Sequence, residues 1–228
     1  MNNIMTDRIF FGAVISVVGY LIGIFLRKKI SVLNPLLVSI IFVIAVIKIF
    51  HIDYETYNSG AKYISYLLTP ATVCLAIPLY RQISVLKEHA KEVFIGILAG
   101  VLASMGSILL MSYLFGLTHE QYVTLLPKSI TTAIGMGVSE ELGGIQTITV
   151  AVIIITGVLG NIIAEAVLKI FRIKEPVAKG LAIGTASHAI GTTKALEIGE
   201  IEGAMSSLSV AVAGLMTVIS ASIFANMM

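Results

Sequence analysis

Gly184-Thr185-Ala186-Ser187-His188-Ala189-Ile190-Gly191-Thr192-Thr193-Lys194 is a polar, glycine-containing stretch set among long apolar runs, and an earlier stretch, Leu126-Pro127-Lys128-Ser129-Ile130-Thr131-Thr132, has the same character. The segments around them, 125–146 and 180–201, are apolar enough to enter a bilayer yet rich in Gly, Ser and Thr. Non-helical backbone at membrane depth is tolerated only where it is buried in protein or lines a wet cavity. A hairpin of two half-helices, each about ten residues and ~15 Å long, reaches the midplane and returns. Both segments are therefore expected to be re-entrant. The alternative, two broken helices that each cross, would invert the later crossings and place a basic loop outside.

The rest of the chain supplies the membrane setting. Of 228 residues, 57% are apolar and 12% charged, with a mean hydropathy of +0.98. That charged fraction is about half the usual value for a globular protein, so an integral membrane protein is expected. About six full crossings are predicted, at 9–26, 30–49, 63–80, 93–114, 148–170 and 204–225, each long enough for a ~30 Å hydrocarbon core. The first does not read as a cleavable leader, because Arg27-Lys28-Lys29 follows its apolar run instead of preceding it. Trp is absent and Cys74 is the only cysteine, which rules out a disulfide framework. A net charge of +2 gives no electrostatic case for nucleic acid.

Ten of the 15 Lys and Arg residues fall into three loops: 27–29, 81–91 and 169–179. The opposite loops carry Asp53, Glu55 and Glu120. The positive-inside rule then makes the basic side cytoplasmic and puts both termini outside. This pattern holds only if 125–146 and 180–201 make no net traverse.

The two polar segments also resemble each other. Ala133-Ile134-Gly135 recurs as Ala189-Ile190-Gly191, and in the same register Glu141, Gly143 and Ile145 match Glu197, Gly199 and Ile201. Each segment precedes one full crossing, so the second unit would be inverted relative to the first. Inverted repeats with discontinuous helices meeting at the midplane are a plan used by secondary transporters. The competing explanation is chance matching of residues common in membrane sequences.

Lys128 and Lys194 both adjoin Ser, Thr and Gly backbone, where half-helix N-termini offer free N–H groups to an anion. Together they read as a site for a small carboxylate; the plainer alternative is that both snorkel to a surface. Glu141 and Glu197 are candidates to carry a proton or bind a coupling cation, although Glu197 can instead pair with Lys194 at i, i+3. His188 is a candidate proton relay or a buried structural donor. Glu140, Glu200 and Glu202 are expected at segment ends in water. Gly143-Gly144 and Gly157-x-x-Gly160 are expected to allow close helix packing. Thr69-Pro70 and Pro78 are expected to kink the third crossing. No nucleotide-binding loop, metal-ligand cluster or nucleophile–base pair is readable, so neither an enzyme nor a cofactor is expected.

In order along the chain, Pro127-Lys128-Ser129-x-Thr131-Thr132, Gly143-Gly144, Thr156-Gly157-x-Leu159-Gly160 and the block from Gly184 to Thr192 resemble the pattern of the LrgB/CidB family, including the YohK-type inner-membrane proteins. The resemblance spans nearly the whole chain. It implies a multi-pass protein of the bacterial cytoplasmic membrane, antiholin-like and linked to control of murein hydrolases and cell lysis. A smaller holin-like partner of the LrgA/CidA type is implied as well. Related plastid proteins move glycolate and glycerate, and some bacterial members are associated with pyruvate uptake. Two positions depart from the pattern. Ala133 stands where Pro is usual after Thr-Thr, and Thr193-Lys194 where Ala-Arg is common, which keeps the charge but loses a bidentate fork.

The expected architecture is an all-α polytopic membrane protein with two polar re-entrant hairpins or broken helices arranged as inverted repeats. Residues 1–120 would form a four-helix region, and 121–228 two repeats at about 125–170 and 181–226. The leading functional expectation is a proton- or cation-coupled secondary transporter of small monocarboxylates, such as pyruvate, lactate, glycolate or glycerate. Lys128, Ser129, Thr131 and Thr132 would hold the substrate from one hairpin, and His188, Gly191, Thr192, Thr193 and Lys194 from the other. Glu141, Glu197 or His188 would couple the driving ion. The alternative is an antiholin-like regulator that acts with the holin-like partner. A homo-oligomer is expected in either case.

Overall fold

Small residues recur every third or fourth position along the first helix, α1 (Phe11–Lys29), and this spacing decides how the N-terminal helices pack. Gly12, Ile15, Gly19 and Gly23 form its buried stripe. In the computed structural model, which describes residues 10–30, 33–67, 70, 73–74 and 76–228, the chain divides into two units, Met1–Cys74 and Leu75–Met228. No strand occurs among the described residues. In the first unit α1 packs on α2 (Pro35–Ile49) and α3 (Tyr54–Ser65). A Cβ at Gly23 would lie 2.8 Å from Pro35 Cα, so only glycine admits this approach. Ser39 Oγ donates to the Ser16 carbonyl at 3.2 Å, and Ser16 Oγ lies 2.9 Å from the Tyr57 hydroxyl. The second helix starts at Pro35 and not at Ile30. Proline suits the first helical position, and Asn34 Oδ1 caps the helix by accepting from Leu36 N at 2.9 Å. The expected third crossing falls partly outside the described residues, as does Thr69 of the expected Thr69-Pro70 kink.

The second unit begins with two short helices, α4 (Ala76–Arg81) and α5 (Ile83–Glu88), followed by α6 (Ala90–Phe115). Gly116 ends α6 in the left-handed region at φ 61°, a C-terminal stop that glycine adopts without strain. A capping box between Thr118 and Gln121 then starts α7 (His119–Leu125). After a turn come α8 (Thr132–Glu141), α9 (Gln146–Ile170), α10 (Pro176–Ile198) and α11 (Glu200–Ala225).

Both polar segments take part in hairpins, but the first begins earlier than the expected 125–146: its entering limb is α7, the turn is 126–131, and the expected segment supplies only that turn and the returning limb. In the first, α7 runs in and α8 runs back. Its base is held by buried Thr124, Ser139 and Thr149. Thr149 Oγ1 lies 2.8 Å from the Thr124 carbonyl and 2.7 Å from Ser139 Oγ, and Ile145 N donates to Thr124 Oγ1 at 2.8 Å. In the second, α10 breaks at His188, whose φ of 43° and ψ of −144° are non-helical. The limb 189–198 folds back on the limb 176–187. Ile183 and Ala195, which would lie ~18 Å apart in an unbroken helix, share one buried cluster with Ala164 and Leu168.

The neighbours of α11 fix the direction of each hairpin. A Cβ at Gly180 would meet Met205 Cβ at 2.7 Å, and one at Gly184 would meet Ser209 Cβ at 2.7 Å, so the second hairpin enters beside the start of α11. The first enters beside its end, where the Tyr122 hydroxyl donates to the Phe224 carbonyl at 2.8 Å. The two therefore come from opposite ends of one long helix. In the register of the sequence repeat, α8 matches limb 189–198, and α9 matches α11. The entering limbs differ, since α7 has seven residues and 176–187 is longer.

Among the described residues, four helices, α1, α6, α9 and α11, are long and apolar enough to cross a membrane, and α2 is a shorter apolar helix. Their outward faces carry apolar stripes such as Leu215, Ile219 and Ile223, each more than 60% exposed. Such a surface fits lipid and not water. The protein is thus an all-α polytopic membrane protein, as its composition implies. One expectation about charge is corrected. Glu202 is not a surface acid but is buried, because Lys179 of the entering limb reaches it at 3.4 Å.

The tip of the second hairpin rests on glycines of α9. A Cβ at Gly157 would lie 2.8 Å from His188 Nε2, and one at Gly160 would lie 2.6 Å from Ser187 Cβ. Gly160→Ala is expected to cost about 1–3 kcal/mol through overpacking, read as a lower unfolding temperature in detergent. Gly137→Ala, where the added methyl meets nothing within 4 Å, should be neutral or slightly stabilising.

Candidate functional site

Three elements converge where the hairpin tips end. The turn 126–131 lies against the middle of α6 and α11. Ser129 Oγ is 2.9 Å from Ser104 Oγ, and a small space between them is lined by Pro127, Ser129, Thr185, Ala213 and Thr217. That space is about 10 Å³, room for roughly one water molecule. Lys128, on the same turn, donates from Nζ to Ser129 Oγ at 3.0 Å and to Ser104 Oγ at 3.3 Å. Among the described residues no carboxylate lies within ion-pair distance of it. Thr131 precedes α8 without capping it through its side chain, and the first bond into the helix is Gly135 N to the Thr131 carbonyl at 2.8 Å. The amides of Thr132, Ala133 and Ile134 therefore have no intrahelical acceptor. A cation and a helix N-terminus on one turn form a donor-rich, positively polarised surface, suited to an anion.

The second hairpin contributes its tip in another way. His188 is buried, and its Nε2 donates to the Ile153 carbonyl at 3.0 Å, because a carbonyl can only accept. Its own carbonyl accepts from Thr192 Oγ1 at 3.0 Å, and Ser206 Oγ lies 2.8 Å from Thr192 Oγ1. His188 is thus the structural donor that holds a positive-φ turn in place. Gly191 packs against the entering limb, where a Cβ would lie 3.1 Å from Ile183 Cγ2.

Thr193 and Lys194 face α9 and not the tips. Asn161 Nδ2 donates to the Ile190 carbonyl and to Thr193 Oγ1, each at 3.0 Å. Lys194 Nζ sits 2.6 Å from Glu165 and 3.2 Å from Glu197. Gly157, Asn161 and Glu165, spaced by one turn, form a seam that fastens the returning limb. Along α9, Glu165 lies ~18 Å from Ile153, where both tips meet the helix. The structure therefore does not bring Lys128 and Lys194 together, and Lys194 is already shared between two carboxylates. Glu141 is exposed at the base of the first hairpin, and Glu197 is exposed at the base of the second.

Several residues at the junction and on the α9 seam escaped the sequence reading. Ser104 was signalled only by the polar run Ser104-x-Gly106-Ser107 inside an apolar helix. Asn161 and Glu165 were signalled by polar positions one turn apart within an apolar crossing. Thr185 lies in the polar stretch 184–194 but is not among the residues expected at the site, and Thr217 carries no distinguishing local pattern.

Lys194 and Glu165 form a partly exposed pair, 18% and 49% by side chain. Lys194→Gln is expected to lower stability by about 0.5–1 kcal/mol. In a Glu165→Gln background the same change should cost clearly less, which a double-mutant cycle of unfolding temperatures checks.

The LrgB-like family pattern matches residues 16–227. Proteins named antiholin-like protein LrgB from Bacillus mycoides, Bacillus cereus and Bacillus anthracis are each 38% identical to this chain over 213 residues, covering 92% of it and 93% of the relative. No solved structure matches. The chain belongs to the LrgB family.

Proposed function

We propose that this chain has the antiholin-like role for which its relatives are named, and that its molecular activity is carriage of a small monocarboxylate. The role is supported by the names of the Bacillus relatives. The activity is supported by one observation above all. Lys128 stands with the open N-terminus of α8 where two hairpins from opposite ends of α11 meet. A half-buried cation with no carboxylate within ion-pair distance is costly in a bilayer and marks a pathway or ligand.

On this reading the carboxylate is held by Lys128 Nζ, the amides at the start of α8, and the hydroxyls of Ser129, Thr131 and Thr132. The space between the tips is too small for a three-carbon acid, so the described arrangement is occluded. Passage requires the tips to part toward one end and then the other, the alternating movement of inverted-repeat carriers. A proton or cation gradient drives uptake, with Glu141, Glu197 and His188 as the groups to test. Thr192, Thr193 and Lys194 set the position of the second hairpin.

A second reading is favoured by the antiholin-like names themselves: regulation by contact with a holin-like membrane partner, without transport. Both are tested by uptake of labelled pyruvate and glycolate into proteoliposomes, with and without an inward proton gradient and with and without that partner. Saturable uptake that falls at least tenfold in Lys128→Met supports the carrier. No uptake under any condition, with partner binding retained, establishes the regulatory reading instead.

A further inference from the structure

A sizeable cleft in the second unit lies away from the hairpin tips. Where α9 ends and α10 begins, a cavity of about 540 Å³ opens between Leu168, Ile173 and Ile198 on its apolar walls and Lys169, Arg172 and Lys174 on its rim. Two other charged groups line it, and both are already engaged: Lys179 with Glu202 at 3.4 Å, and Glu165 with Lys194 at 2.6 Å. Among the described residues, no carboxylate lies within ion-pair distance of Lys169, Arg172 or Lys174, although Glu165 acts electrostatically on Lys169 as well as on Lys194. Arg172 and Lys174, together with a Lys169 only partly offset by Glu165, thus border an apolar slot at the end of a helix long enough to span a bilayer.

The surroundings identify the occupant. Ile170 and Phe171, each more than 70% exposed, continue the apolar surface beside the cleft. The basic residues of α5, α6 and the α9–α10 turn lie at this same end of the unit, so the cleft opens at the membrane surface the basic loops face. The volume is that of a site for a sizeable organic molecule and far exceeds the space between the tips. Basic pockets between transmembrane helices suit anionic lipid headgroups, with the acyl chains passing along the apolar wall.

We propose that this cleft is a binding site for an anionic phospholipid. Its phosphodiester meets Arg172, Lys169 and Lys174, and its chains lie against Ile173, Leu168 and the outer face of α9. The site is independent of the carrier reading, because none of its residues lies at the tips. It also braces the base of the second hairpin, since Ile198 ends the returning limb.

The test is titration of the delipidated full-length protein with dihexanoyl phosphatidylglycerol, dihexanoyl phosphatidylcholine and inorganic phosphate, read by native mass spectrometry and by unfolding temperature. Phosphatidylglycerol is expected to bind, and phosphatidylcholine and phosphate at equal concentration are not. Arg172→Gln with Lys174→Gln should weaken binding about 25-fold, roughly fivefold per charge. Lys87→Gln with Lys91→Gln, in another basic loop, should leave it unchanged. Arg172 sits at φ 55°, a conformation that glycine adopts freely. Arg172→Gly therefore removes the guanidinium without straining the turn and should still lose lipid about fivefold. Equal binding of both lipids, displacement by phosphate alone, or unchanged affinity in Arg172→Gly would overturn the assignment.

Discussion

A helix broken inside a bilayer exposes amides and carbonyls that no water can satisfy, and the second unit is arranged around that constraint. At His188 the break is covered from two sides. The Ile153 carbonyl takes the imidazole proton, and Thr192 returns a hydroxyl to the His188 carbonyl. Gly157 and Gly160 remove the side chains that would otherwise hold the tip away from α9. The first hairpin meets the same demand with hydroxyls: Thr124, Ser139 and Thr149 bind its base, and Ser104 meets its tip. Backbone irregularity is thus confined to places where protein has replaced water.

Charge follows the same logic. Glu141 and Glu197 lie at the exposed bases of the hairpins, and both lysines of the second are paired, Lys194 with Glu165 and Glu197 and Lys179 with Glu202. Lys128 is the exception. Its ammonium rests on two hydroxyls, which share its charge without cancelling it. A group in that state has capacity left for an anion, and on the proposed carrier reading its place between oppositely directed hairpins would give that anion access to either side in turn.

Much of this architecture was legible in the sequence. If the basic loops share one face, 125–146 and 180–201 make no net traverse, and a polar segment that enters and leaves by one face is a hairpin. The repeated Glu-x-Gly marked both returning limbs, and Gly157-x-x-Gly160 announced close packing, though not what packs there. Depth was the part that could not be read. Lys128 and Lys194 look alike in sequence, but one falls on a turn and the other two helical turns beyond a break, so they end at different levels. Glu202 likewise looked like a surface acid until Lys179, 23 positions earlier, was folded against it. Partnerships of this kind depend on how far each limb penetrates, which local composition does not encode.

The central claim is that the two hairpins enter from opposite faces of the membrane. It is tested most directly by placing single cysteines at their exposed bases, Glu141→Cys and Glu197→Cys, in a Cys74→Ser background. Sealed vesicles of known orientation are then treated with a membrane-impermeant maleimide. The account predicts that one position labels only from outside the vesicle and the other only after the membrane is opened. Labelling of both from the same face would contradict it.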